Sequence, residues 1–258
     1  MNKALISLSF DDARKTQYMI AKDILFNNNI PATFNITTGF IDGTCPYENI
    51  QCFDDPMSIE DVQWLNNQPL FEIALHGDKH LNSEEDNISC FHKLQQWLYS
   101  ENIVYGFASP GTGLKDHDSD FWLHNVAYIR LSFRLMKYKS IKILARKASR
   151  ILHRPYLYKL AYKDTLMDTC SNNIIYSVPV LKDITYEELA SLVMLCVKQK
   201  KALVFMFHSI GDGEDNWYWS LSKFEKLIAL LKQLQDHNQI DICTTMNLYQ
   251  KIKENQNA

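Results

Sequence analysis

The sequence lacks the features that mark several classes of protein. It has no stretch of about 18 uncharged apolar residues, so no membrane-spanning helix is expected. Its six cysteines form no Cys-x-x-Cys pair, and we expect them to be reduced thiols. The first apolar run ends at Asp11 and is too short for a signal peptide, so the expected location is the cytoplasm.

Acidic residues are absent from residues 121–163, which hold eleven of the 27 lysines and arginines. Subtracting these eleven charges from the net charge of −3 leaves −14 for the rest of the chain. This asymmetry favours an anionic partner for one face. Two interpretations stay open: an amphipathic helical lid with a solvated cationic face, or a surface that contacts phosphate groups or anionic lipid headgroups at the inner face of a membrane. No nucleic-acid-binding motif accompanies the charge, so nucleic acid is not an expected partner.

Composition and periodicity predict an α/β protein. The 46% of hydrophobic and 22% of charged residues are typical of a folded domain, and we expect one domain over residues 1–258. Short apolar segments predict strands at residues 5–10, 30–36, 69–75, 103–107, 174–179, 202–207 and 240–244. Helical patterns between them favour an irregular (β/α)7-type barrel that resembles a TIM barrel. The basic stretch interrupts this alternation and predicts a helical insertion over residues 114–172.

Polar residues follow several of the predicted strands. In a parallel barrel the functional side chains stand at the carboxyl ends of the strands. The strand ends that carry such residues are Asp11-Asp12, His76 with His80, Ser109-Pro110-Gly111, and His208. We therefore expect these residues to meet at one end of the barrel.

The residue types at these strand ends suit a metal site. Two imidazoles four residues apart converge on one ion if the turn between them is tight, and Gly77 permits such a turn. With one carboxylate they form a His₂Asp set, which suits Zn²⁺ or another divalent transition metal. Such an ion lowers the pKa of bound water to about 7, a second carboxylate serves as base, and a separate acid protonates the leaving group. The alternatives are that Asp12 is the N-cap of the first helix and that His208 is an ordinary strand-end histidine.

Three motifs occur in the same order as in a known family. They are Ser9-Phe10-Asp11-Asp12, His76-Gly77-Asp78-Lys79-His80 and Leu203-Val204-Phe205-Met206-Phe207-His208. This set resembles the polysaccharide deacetylases of the NodB-homology type, carbohydrate esterases that remove N- or O-acetyl groups. The resemblance implies Asp11 as catalytic base, His208 as general acid, and Asp12, His76 and His80 as metal ligands. It covers residues 3–110 and 185–248 and leaves the basic stretch outside.

The sequence departs from the family's pattern in three motifs. An Asp-rich fourth motif with a tryptophan is not evident, and Trp217 or Trp219 is the candidate for its place. The family's third motif has an arginine that holds the base, whereas Ala108-Ser109-Pro110 has none. Gly77 stands where a serine or threonine usually supports the ligand loop. Ser109, Pro110, Gly111 and Trp217 are the expected substrate contacts.

The leading hypothesis is a metal-dependent deacetylase that hydrolyses an N- or O-acetyl group on a sugar. The expected substrate is a precursor of a cell-surface polysaccharide or lipopolysaccharide, with a phosphate- or lipid-linked sugar as one form of it. Two alternatives stay open. One is an amidohydrolase acting on another small amide, such as a formyl group. The other is a catalytically impaired domain that binds glycan or lipid, which the missing arginine would explain.

Overall fold

Parallel strands close into a seven-stranded barrel in the computed structural model, which describes residues 1–46, 49, 54–99, 105–112, 124–132, 139–152 and 154–257. The strands are β1 (Ala4–Asp11), β2 (Ala32–Ile36), β3 (Phe71–Leu75), β4 (Tyr105–Ala108), β5 (Val126–Ser132), β6 (Ile174–Pro179) and β7 (Ala202–Phe207). Each pairs with the next in parallel register, and β7 pairs with β1, which closes the barrel. The predicted (β/α)7-type barrel is confirmed.

Shorter strands and helices complete the structure. The strands β8 (Ser209–Ile210) and β9 (Tyr218–Trp219) pair with each other, and β10 (Ile240–Ile242) pairs with the beginning of β1. The helices are α1 (Lys15–Ile20), α2 (Thr38–Ile41), α3 (Ile59–Asn66), α4 (Glu84–Leu98), α5 (Lys139–Ile151), α6 (Tyr158–Tyr162), α7 (Tyr186–Gln199), α8 (Leu221–Asp236) and α9 (Thr245–Asn257). In the described parts of the chain, none of the helices has the length and apolar character needed to cross a bilayer.

Strand β1 shows how the barrel places polar groups inside and apolar groups outside. All of its residues are buried, but successive side chains point to opposite faces. Phe10 packs against Phe34 and Phe207, with distances between ring centroids of 5.2 and 5.4 Å. Each such buried aromatic ring stabilises the fold by roughly 1.5–3 kcal/mol. Asp11, on the other face, therefore points into the barrel.

The structure assigns part of the predicted insertion to the barrel. Strand β5 lies within residues 114–172, yet it pairs with β4 and β6 as a barrel strand. The sequence pattern did not indicate a strand, because Arg130 interrupts its apolar run. Arg130 is nevertheless buried and pairs with Asp11 inside the barrel. Within the predicted insertion, Lys139–Ile151 and Tyr158–Tyr162 form α-helices, as expected. Residues 113–123 and 133–138 lie outside the described residues.

Gly106 on β4 is required by close packing. A Cβ atom at this position would overlap the ring of Tyr128, which is buried and donates a hydrogen bond to Glu72 Oε1 at 2.7 Å. We expect Gly106→Ala to lower the free energy of unfolding by about 1–3 kcal/mol in urea denaturation, because an overpacked core must shift. In a double-mutant cycle, Gly106→Ala with Tyr128→Leu should lose less stability than the sum of the single changes. Additive losses would show that Tyr128 is not the obstacle.

Candidate active site

A cavity of about 460 Å³ opens at the carboxyl ends of the strands. Its lining includes all nine residues that the sequence predicts for the site: Asp11, Asp12, His76, His80, Ser109, Pro110, Gly111, His208 and Trp217. The lining also includes residues that the sequence did not indicate, among them Arg14, Asn49, Ser132 and Leu181. The structure thus brings the predicted residues together, while their chemical roles remain predictions.

The backbone after β1 directs Asp12 into this cavity. Asp12 and Ala13 have φ angles of +84° and +61°, which L-residues rarely adopt and which cost about 1–3 kcal/mol each. The side-chain amide of Gln17 donates hydrogen bonds to the carbonyls of Asp11 and His208 and so holds the turn. The N-cap of α1 is Arg14, so the alternative that Asp12 caps this helix is wrong.

Asp12, His76 and His80 present their ligand atoms to one point. Asp12 Oδ1 lies 3.3 Å from His76 Nε2 and 3.4 Å from His80 Nε2. Ligands of a tetrahedral Zn²⁺ ion, bound at about 2.0–2.1 Å, lie about 3.3 Å apart. Oδ1 is buried and accepts no hydrogen bond from the described residues. A buried oxygen that accepts no hydrogen bond can instead bind a cation. The three ligand atoms are therefore compatible with a divalent metal.

A hydrogen bond at Nδ1 of His76 leaves its other ring nitrogen, Nε2, available for metal binding. His76 Nδ1 lies 2.7 Å from the carbonyl oxygen of Ala108. Because a carbonyl only accepts, Nδ1 carries a proton, and Nε2 is the nitrogen that faces Asp12 and can bind either a proton or a metal. Burial acts to lower the pKa of His76, but the nearby charges of Asp11 and Asp12 outweigh it and raise this pKa. The same negative charge that attracts a proton attracts a metal cation.

Asp86 fixes the loop that carries His80. Its two carboxylate oxygens accept the backbone N–H groups of Lys79 and Leu81 at 2.7 and 2.9 Å, on either side of His80. His80 itself has a φ of +55°, and Gly77 has a φ of +80°. The loop therefore has backbone anchors in place of the serine or threonine hydroxyl that the sequence lacks.

Asp78 provides a second anchor for the same loop. Its carboxylate accepts hydrogen bonds from the hydroxyls of Thr38 and Ser89 and from the ammonium of Lys93, at 2.7 to 3.0 Å. Asp78 is buried, and these donors come from α2 and α4. The loop is thereby tied to two helices that flank β3.

Arg14 occupies the second oxygen of Asp12. Its Nε and Nη2 donate to Asp12 Oδ2 at 3.0 and 2.7 Å, and its Nη1 donates to Ser209 Oγ at 3.1 Å. Burial acts to raise the pKa of Asp12, but Arg14 and the neighbouring histidines hold it well below its usual value. Asp12 is thus ionised, with Oδ1 alone left for a metal. Spacing in the sequence gives no signal for this contact.

Arg130 supplies the guanidinium that the third motif lacks. Its Nη2 lies 2.6 Å from Asp11 Oδ1 and 2.7 Å from Asp11 Oδ2. In the sheet, Arg130 on β5 is the register partner of Ala108 on β4. Arg130 is therefore level with Ala108 along the barrel axis, but it belongs to the next strand, β5. The third motif itself has no arginine, and the one clue to Arg130 in the sequence was a lone charge within an apolar segment.

Asp11 is consequently held as an ionised carboxylate. Asn35 Nδ2 donates to Oδ1 at 2.8 Å, in addition to Arg130. Burial acts to raise the pKa of Asp11, but the charges of Arg130, His76 and His208 lower it below its usual value overall. A carboxylate with this pKa is ionised at neutral pH and can accept a proton, but its lowered pKa makes it a weaker base.

His208 lies on the opposite side of Asp12 from the two candidate ligands. Its ring packs against Trp217 with the centroids 4.2 Å apart and the planes tilted by 40°, and its Nε2 is 3.9 Å from Asp12 Oδ2. Nδ1 is buried and has no hydrogen-bond partner among the described residues. Burial lowers the pKa of His208 to about 4. A neutral imidazole must gain a proton before it can protonate a leaving group.

Gly77 offers a test of the loop geometry. A Cβ at this position would lie 2.5 Å from Asp86 Oδ2, and the backbone is left-handed. We expect Gly77→Ser to weaken zinc binding at least about tenfold in a chelator-competition titration, because the loop carrying His80 must move. The control is Gly43→Ser, which has a similar φ of +76° but open space around it. Equal zinc affinity in Gly77→Ser and the wild type would contradict this account.

Comparisons with known proteins identify relatives in structure only. No family model and no curated protein sequence matches this chain. A protein from Mycobacterium smegmatis, assigned as a polysaccharide deacetylase, aligns over 99% of this chain and 92% of its own, with a TM-score of 0.57 and 10% identity. The catalytic domain of a peptidoglycan N-acetylglucosamine deacetylase from Eubacterium rectale aligns over 95% and 90%, with a TM-score of 0.44 and 17% identity.

A further structure matches over a shorter length. A de-N-acetylase from Aggregatibacter actinomycetemcomitans aligns over 50% of this chain and 63% of its own, with a TM-score of 0.39 and 18% identity. The chain thus spans less than two thirds of that protein. The alignment with the M. smegmatis protein, by contrast, covers nearly all of both chains. The chain therefore has the fold of the polysaccharide deacetylases, as the three sequence motifs predicted.

Proposed function

We propose that this protein is a metal-dependent deacetylase that hydrolyses an N- or O-acetyl group on a sugar. The observation that carries the proposal is the spacing of Asp12 Oδ1 from the two histidine nitrogens, 3.3 and 3.4 Å, beside an ionised Asp11 in the same cavity. The fold supports an acetylated sugar as the substrate class. A precursor of a surface polysaccharide or lipopolysaccharide, met in the cytoplasm, is our proposed substrate.

The chemistry divides between the two adjacent carboxylates. Asp12, His76 and His80 would hold a divalent ion, which would supply Lewis acidity towards the acetyl carbonyl. Asp11, ionised and oriented by Arg130, takes the proton of the attacking water at its carboxylate. His208 would take up a proton from solvent and donate it to the departing nitrogen or oxygen, and Asp11 would return its proton to solvent. Such proton transfers by positioned groups accelerate reactions by roughly 10²–10⁴-fold each.

The cavity has the size and lining for one sugar unit at the reaction centre. Its volume of about 460 Å³ lies within the range of roughly 300–1,000 Å³ typical of small-molecule sites. Trp217 and Leu181 offer apolar surface, and the loop Ser109 to Gly111 forms another wall. We propose that these residues hold the sugar ring with its acetyl group towards Asp11.

The alternatives carry less support. The impaired-domain hypothesis depended on the missing arginine, and Arg130 contacts both oxygens of Asp11. No contact in the described cavity favours a formyl over an acetyl group. Analysis of the products released from matched N-formyl and N-acetyl sugars distinguishes these two amides.

Metal content and turnover separate the proposed roles. We expect Asp12→Ala and His80→Ala to lose bound zinc in elemental analysis, because each removes a ligand. Asp11→Asn should retain zinc but lose turnover of acetylated sugars by roughly 10²–10⁴-fold, because an amide cannot accept the proton. His92→Ala, an exposed histidine on α4, is the control and should match the wild type. A wild-type protein that binds no divalent ion would refute the proposal.

Moving the arginine tests its role in positioning the base. We expect Arg130→Ala to lower kcat by about 100-fold with unchanged zinc affinity, because Asp11 loses its orientation but the metal ligands do not. Ala108→Arg in the Arg130→Ala background returns a guanidinium to the register position beside it. This double variant should recover at least about tenfold in kcat. The positioning role is wrong if Arg130→Ala retains wild-type kcat in a folded protein.

A further inference from the structure

The basic stretch of residues 121–163 divides into two groups in the structure. Some of its cations pair with carboxylates, Arg130 with the buried Asp11 and Arg150 with Asp183 at the surface. Others are exposed in the described part of the stretch, namely Lys147, Arg154 and Lys163. No acidic residue lies within the stretch, and the nearest one to these exposed cations along the sequence is Asp164, next to Lys163.

Apolar side chains are exposed between these cations. Of the twelve large hydrophobic residues exposed in the described chain, five lie between residues 144 and 160. They are Leu144 (65% exposed), Ile151 (75%), Leu152 (59%), Tyr156 (51%) and Leu160 (47%), and we call them the α5–α6 surface. Leu144 and Ile151 are seven residues apart on α5 and thus share one face, with Lys147 between them. Scattered exposed apolar residues are normal, whereas a cluster of this kind marks an interaction site.

The opposite faces of these helices anchor them to the barrel. Ser149 on α5 is buried and donates a hydrogen bond to Glu188 of α7 at 2.9 Å. On α6, Tyr158 and Tyr162 are buried, with ring centroids 4.8 Å apart. The outward residues of the α5–α6 surface are therefore not needed to hold the helices in place.

The stretch that carries this surface begins at the end of the barrel where the catalytic cavity opens. The stretch leaves the barrel after Ser132 at the carboxyl end of β5, and Ser132 lines the cavity. Asp183, the partner of Arg150, follows the end of β6, where Pro179 also lines the cavity. Ser132 and Arg150 therefore connect the stretch to the end of the barrel that carries the cavity.

We propose that the α5–α6 surface docks this protein on an anionic lipid bilayer. Apolar side chains interleaved with lysine and arginine suit the bilayer interface, where the former enter the headgroup region and the latter contact lipid phosphates. A second copy of the chain is a poorer occupant, because face-to-face pairing would bring Lys147, Arg154 and Lys163 of both copies together. Docking on the bilayer would bring the protein to a lipid-linked sugar. The choice of that sugar as substrate rests on the proposed function.

Vesicle co-sedimentation of the full chain tests the proposal. We expect binding to vesicles of equal parts phosphatidylglycerol and phosphatidylcholine, weaker binding at high salt, and none to vesicles of phosphatidylcholine alone. Each cation near an anionic surface strengthens binding about fivefold. Lys147→Gln/Arg154→Gln/Lys163→Gln should therefore weaken it by about 100-fold.

A second variant and a matched control test the apolar part. Leu144→Ser/Ile151→Ser should weaken binding at least about tenfold, because exposed leucine and isoleucine enter the interface. The control is Met194→Ser/Lys198→Gln, which removes an exposed apolar residue and an exposed cation at neighbouring positions of α7. It should bind as the wild type does. All these positions are exposed, and thermal unfolding checks that each variant folds.

Three outcomes would overturn the proposal. They are the absence of binding to anionic vesicles at low salt, an equal loss in the Met194→Ser/Lys198→Gln control, and a dimer in sedimentation velocity that Leu144→Ser/Ile151→Ser abolishes. Neither substrate nor metal is needed for the binding measurement. A failure of membrane docking is therefore distinguishable from a failure of the deacetylase proposal.

Discussion

Two adjacent carboxylates are buried at the end of β1, and the rest of the site is arranged around that constraint. Asp11 and Asp12 repel each other, and burial removes the water that would stabilise them. Each is paired with its own buried guanidinium: Arg130 for Asp11 and Arg14 for Asp12. Removing one partner of such a pair typically costs about 3–5 kcal/mol, so the two arginines are structural requirements as well as functional ones.

The pairing also separates the chemical tasks of the two carboxylates. Arg14 takes Oδ2 of Asp12 and leaves Oδ1 towards the histidines, whereas Arg130 takes both oxygens of Asp11. Asp12 thus faces the two histidines with a bare oxygen and Asp11 is held in one orientation, as the proposed ligand and base roles require. The positive φ angles of Asp12 and Ala13 provide the sharp turn that lets neighbouring residues point in different directions.

The parts of the fold and the site that could be predicted from the sequence are those formed by residues close together in the chain. The barrel and the strand-end residues followed from apolar periodicity and from motifs of a few residues, because His76 and His80 lie in one loop and Asp11 and Asp12 in one turn. Arg130 was not predictable in this way, since its contact with Asp11 depends on the register of β5 against β4. β5 falls within the predicted insertion because its buried Arg130 resembles one more cation of the basic stretch, residues 121–163. The backbone anchors of Asp86 were hidden for a similar reason, since no pattern in the sequence specifies which amides a carboxylate accepts.

The division of tasks between the two carboxylates is the central claim. It is tested most directly by a crystal structure of the zinc-loaded protein, with anomalous data collected at the zinc edge. The account predicts one ion bound to Asp12 Oδ1, His76 Nε2 and His80 Nε2 at about 2.0–2.1 Å, with Arg14 still on Asp12 Oδ2 and Arg130 still on Asp11. An ion that bridges Asp11 and Asp12, or that displaces either arginine, would contradict it.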